Sequence, residues 1–140
     1  MVRISNIELL NILKENARMK FVDIAKKLNV SETAIRKKVK KLEENGTIKG
    51  YTIEINPKKA GFEINAMIGI DTKPEYFIQI LEGMKKMPEC LSVYSASGDH
   101  MILIECWFKD SKALTVFVQG IEKIEGITKI CPAIITEKIK

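Results

Sequence analysis

The spacing of apolar residues changes near residue 47, and that change limits the architectures open to this chain. Before it, apolar residues recur with the 3.6-residue period of helices; after it, they alternate as in strands. Ser5 and Glu8 have the S-x-x-E spacing of a capping box. Ile7, Leu9, Leu10 and Leu13 give the helix that starts there an apolar stripe, which ends before Asn16-Ala17-Arg18. Phe21, Ile24, Ala25 and Leu28 then fall at i, i+3, i+4 and i+7, predicting a short helix over about 21–28. Asn29-Val30-Ser31 reads as a turn. Ser31 suits the cap of a third helix, and Glu32 its positive end. Ile35, Val39 and Leu42 face inward, and Asn45-Gly46 is a stop signal.

Alternation sets in with Ile48, Tyr51, Ile53 and Ile55, which predicts a strand over 48–55. Asn56-Pro57-Lys58-Lys59-Ala60-Gly61 follows as a boundary. Beyond it the order is strand 62–71, helix 74–87, strand 90–97, strand 100–108, helix 111–123 and strand 127–138. The two strand-helix-strand halves match at an offset of 37, pairing Phe77 with Leu114, Leu81 with Val118, Met84 with Ile121 and Val93 with Ile130. The expected class is therefore α+β. An N-terminal winged helix-turn-helix of three helices (1–47) leads through a strand and hinge (48–61) to a ferredoxin-like βαββαβ domain (62–140).

Composition narrows the function. No apolar run approaches the roughly 18–20 residues that cross a bilayer, and MVRISNIELL lacks the marks of a secretory signal. A soluble, cytoplasmic protein with no membrane partner is expected. The 3 cysteines, Cys90, Cys106 and Cys131, have neither disulfide-framework nor C-x-x-C zinc spacing. They are read as small buried hydrophobes, and no metal or cofactor is expected. Charge is unevenly divided: residues 1–60 hold 14 Lys and Arg against 7 Asp and Glu, whereas residues 61–140 hold 9 against 11. A basic half beside a near-neutral one points to a polyanion-binding module joined to something else.

The third helix carries the chemistry. With Ile35, Val39 and Leu42 inward, Thr33, Arg36, Lys37, Lys40 and Lys41 lie on or beside the opposite face, and Lys38 lies on a flank. A short helix, a tight turn and a cationic helix form the arrangement that reads double-stranded DNA through the major groove. Ser31, Thr33, Arg36 and Lys37, near the helix start, are candidates for base edges or nearby phosphates, and Glu32 belongs to the same surface. Arg36 has the planar fork that matches guanine. Lys40 and Lys41 are placed for phosphates. The 48–55 strand, with Lys49, serves either as a wing beside the duplex or in dimerisation.

The strand at 101–108 is apolar on both faces, with Met101, Leu103 and Trp107 on one and Ile102, Ile104, Cys106 and Phe108 on the other. Helices cover only one face of such a sheet. At roughly 1.5–3 kcal/mol per large side chain buried, the other face favours self-association. The oligomerisation face is assigned to Ile102, Ile104, Cys106 and Phe108.

The segment FVDIAKKLNVSETAIRKKVKKLEENGTIKGYTIEINPKKAGF resembles the helix-turn-helix and hinge of the Lrp/AsnC family, and the second half, with its SGDHM turn, resembles that family's amino-acid-sensing domain. The resemblance spans essentially the whole chain and is strongest to archaeal members. It implies a transcription regulator that dimerises through the second domain, assembles up to octamers, and binds a small amino acid near the turn Ser97-Gly98-Asp99-His100. Where family members add hydroxyls from the last strand this chain has Ile130-Cys131-Pro132-Ala133, and Thr136 is the nearest hydroxyl. The alternatives are an enzyme similar to sirohaem decarboxylases, or a sensing module without DNA binding. The single histidine, His100, cannot supply both a base and its orienting partner, so no catalytic residue is assigned.

Overall fold

Helix α1 (Asn6–Glu15) begins where Ser5, in extended backbone, accepts the Glu8 N–H at 3.5 Å. The structure, a computed structural model, describes residues 3–140 and forms two units, one running to Glu54 and the other from Ile55. In the first unit, α2 (Phe21–Leu28) and α3 (Glu32–Glu44) follow α1. Their apolar stripes close one core around Leu9, Ile24, Ile35, Val39 and Leu42, all at most 2% exposed.

The expected strand at 48–55 does not form. Ile48 is half-buried against the helical core, and its N–H donates to the Leu42 carbonyl at 2.9 Å. From there Tyr51, Ile53 and Ile55 run exposed, in no ladder. Alternation supplies the pattern of a strand but not its hydrogen-bonding partner, and the described residues of this unit contain no neighbouring strand.

The second unit is an antiparallel sheet with two helices. It comprises β1 (Ile64–Thr72), a 3-10 turn (Pro74–Tyr76), α4 (Phe77–Lys85), β2 (Cys90–Ser95), β3 (Ile102–Phe108), α5 (Ser111–Glu122) and β4 (Ile127–Ile134). The order β2-β3-β1-β4, antiparallel throughout, is the βαββαβ topology. Asp110 caps α5 by accepting the Ala113 N–H at 2.8 Å. The last strand stops short of residue 138 because β1, its partner, has run out: Ile134 faces Ala66, and the Ile135 N–H reaches the Asn65 carbonyl. No helix of the described residues is long and apolar enough to cross a membrane.

The proposed oligomerisation face is the wrong one. Ile102, Ile104 and Cys106 are 0% exposed and Phe108 only 4%, packed with Ile80, Met84, Leu114 and Ile121 of the two helices. They form the domain's own core. The uncovered face carries Met67, Leu103, Trp107 and Tyr94, together with Asn65 and Asp71. Across the β1–β3 ladder Ile68 faces Ile104 and Asn65 faces Trp107, so the polar residues of β1 mark which face the helices leave open.

Candidate nucleic-acid interface and effector turn

The turn between α2 and α3 is built by two residues. Asn29 adopts φ 53°, the left-handed region that Asn tolerates, and its N–H satisfies the Ala25 and Lys26 carbonyls at the end of α2. Ser31 caps α3 by accepting the Ala34 N–H at 3.1 Å. The buried stripe Ile35, Val39, Leu42 then fixes the rotation of α3. Ser31, Glu32, Thr33, Arg36, Lys37, Lys40 and Lys41 are all left exposed, and Lys38 is partly covered on the flank.

Arg36 is held more firmly than the spacing alone indicates. Its Nη2 lies 2.8 Å from Glu32 Oε1, and its guanidinium carbon sits 5.2 Å from the centroid of the Phe21 ring on α2. Lys40 pairs loosely with Glu44 at 3.8 Å. Lys37 and Lys41 make no ion pair among the described residues, which leaves their charges available to a polyanion. The Phe21 contact is not legible in the sequence, where the 3.6-residue period places Phe21 on the core stripe.

In the second unit, Ser97, Gly98 and Asp99 form an exposed turn with Gly98 at φ 112°. His100 belongs to a different environment. Its ring packs against Gly69, where an added Cβ would come within 2.3 Å of it, and its Nδ1 is 3.1 Å from Asp71 Oδ2. Asp71 Oδ1 accepts the Met101 N–H at 3.0 Å. Gly69 and Asp71 are separated from His100 by about thirty positions, and only the β1–β3 register brings them together. Thr136 does not join this group. It follows β4 beside the Asn65 end of β1, whereas the turn lies at the Ile70 end, about 20 Å away along the strand. Lys129 of β4 pairs with Asp71 toward the turn's end of the sheet.

Burial pushes the Asp71 carboxyl up. The hydrogen bonds from His100 and the Met101 N–H, with the charges of His100 and Lys129, outweigh it and hold the group below its ordinary value. The stabilisation from a lowered carboxyl is complete above its unfolded value of about 4 and is lost as pH falls through the lower folded value. Asp71→Asn is therefore expected to flatten the stability profile between about pH 5 and pH 2. Urea unfolding across that range measures it, and an unchanged slope would contradict the pairing.

An exposed cationic helix set in a helix-turn-helix, joined to a βαββαβ sheet unit, defines a two-part DNA-binding regulator. Residues 3–49 match the family model described as winged helix-turn-helix DNA-binding, and residues 65–140 match the Lrp/AsnC ligand binding domain. The chain is 49% identical to the HTH-type transcriptional regulator LrpA of Pyrococcus horikoshii over 94% of each chain. It is 32% identical to LrpA1 of Halobacterium salinarum, again over 94% of each. Among solved structures, a Neisseria meningitidis transcriptional regulator in complex with L-methionine superposes with a TM-score of 0.87 at 22% identity, covering 100% of this chain and 93% of that one. Escherichia coli AsnC gives 0.81 at 26% identity, covering 99% and 96%. The chain belongs to the Lrp/AsnC family of helix-turn-helix transcriptional regulators.

Proposed function

We propose that two copies of the chain bind a pseudo-palindromic promoter site, each laying α3 in the major groove, and that a small amino acid acting at the Ser97–His100 turn modulates the complex. The observation that carries the reading is the exposed surface of α3, where Lys37 and Lys41 make no ion pair among the described residues and Arg36 presents an ordered fork. Arg36 and Thr33, with Ser31 and Glu32 at the helix start, meet base edges or adjacent phosphates; Lys37, Lys40 and Lys41 meet phosphates.

The open sheet face supports pairing of two copies. Met67, Leu103, Trp107 and Tyr94 lie on it uncovered by helices, and a second sheet laid on this face supplies their apolar cover. Assembly beyond the dimer, up to the octamer, follows the family pattern. At the turn, Gly98 lets backbone amides approach a carboxylate and Asp99 offers a partner for an amino group. Acting on DNA, the protein works in the cytoplasm, and the reading assigns it no catalytic step.

Footprinting on the chain's own promoter, followed by binding titrations at two salt concentrations, tests the reading. Half-site centres are expected about 10 bp apart or at a multiple of that. Three lysines from each of two copies give about six phosphate contacts, so affinity is expected to fall about 10³-fold between 50 and 200 mM salt. Affinity that ignores salt would sink the assignment of α3. Adding small amino acids singly to the same titration identifies the effector by its shift of the curve.

A further inference from the structure

We propose that Cys90 and Cys106 form a peroxide-responsive dithiol site, closing reversibly to a disulfide that ties the edge strand β2 to the sheet. The two residues face each other directly across the β2–β3 ladder, with their sulfurs 3.8 Å apart, and both are free thiols. A disulfide needs about 2.05 Å between sulfurs, a closure that side-chain rotation supplies when the two Cβ atoms already face one another. The third thiol, Cys131, lies on β4 at the opposite edge of the sheet and cannot take part.

Three features set this pair apart from inert core cysteines. Cys106 is fully buried, but Cys90 is only partly buried at the start of the edge strand, where the ladder register shifts between Cys90 and Ser92. Such irregularities loosen pairing locally and give access to the edge. The thiols are also differentiated. The Cys106 S–H donates to the Cys90 sulfur, which holds Cys90 below the ordinary thiol value; the same bond, with burial, pushes Cys106 far up. Finally, a cleft of about 410 Å³, lined by Glu89, Phe108, Asp110 and Phe117, opens one residue from Cys90.

The chemistry closes without any further reagent. The Cys90 thiolate attacks one oxygen of hydrogen peroxide; the S–O bond forms, the O–O bond breaks, and the departing hydroxide takes up the proton that Cys90 gave to solvent, leaving water. Cys106 then attacks the Cys90 sulfur of the sulfenic acid. The S–S bond forms, the S–O bond breaks, and hydroxide leaves with the Cys106 proton as a second water. Two thiols are oxidised and one peroxide is reduced. A small dithiol reverses the change by exchange.

The test treats the full-length protein with hydrogen peroxide in native buffer, alkylates the remaining thiols, and maps peptides by mass spectrometry. The expected result is a chain lighter by two hydrogen atoms, one alkylatable thiol remaining at Cys131, and a linked Cys90–Cys106 peptide that dithiothreitol releases. Cys131→Ser is expected to leave the link intact. Cys90→Ser is expected to abolish it, and Cys106→Ser, which keeps a donor to Cys90 but has no thiol, to leave Cys90 as a sulfenic acid that a dimedone probe labels. Three alkylatable thiols after peroxide, a link that uses Cys131, or a link only between chains would each overturn the proposal.

Discussion

Arg36→Ala combined with Lys37→Ala is expected to weaken binding to the specific operator by about 100-fold or more while leaving the far-ultraviolet circular dichroism unchanged. A bidentate arginine–guanine contact contributes about 1–3 kcal/mol of discrimination. Its loss in both half-sites removes about twice that, and each 1.4 kcal/mol is about tenfold in affinity. The fold is spared because both side chains are exposed, and the Arg36–Glu32 pair is a solvated one that contributes little to stability. Fluorescence anisotropy with an operator fragment measures the loss. A double variant that binds as tightly as the parent would remove α3 from the interface.

The second large effect separates the two faces of β3. Leu103→Asp, on the open face, is expected to leave a folded chain that sediments as a single copy and binds its operator poorly. Ile104→Ala, one residue on but at 0% exposure in the helix-covered core, is expected to cost about 2–5 kcal/mol of stability in urea unfolding. The contrast rests on neighbouring residues of one strand. Should Leu103→Asp sediment as the parent does, the pairing surface lies elsewhere.

These two experiments also mark how far the sequence could be read. Caps and turns depend on neighbours within four residues, so Ser5, Asn29 and Ser31 announce the helix-turn-helix in the sequence itself. The matched apolar positions of the two strand-helix-strand halves announced the sheet topology in the same way. The choice of covered face was harder. Period-two alternation groups Ile102, Ile104, Cys106 and Phe108 together but is silent on which group the helices cover. The informative signal lay in β1, where Asn65 and Asp71 share one face and Ala66, Ile68 and Ile70 share the other. The Asp71–His100 contact and the distance of Thr136 from the turn both depend on strand register across long separations, which no local pattern carries. The segment 48–55 reads as a strand because its side chains alternate, but the backbone partner it needs is not among its sequence neighbours.

The contact between Arg36 and Phe21 has a consequence for the entropy of the proposed DNA contact. A long guanidinium side chain ordinarily samples many rotamers and must be frozen as it meets its target. Here an aromatic ring from the preceding helix and a carboxylate one turn back already restrict it. In the proposed reading of DNA by α3, the fork therefore has less conformational freedom to lose when it meets a base edge, and the saving appears as affinity.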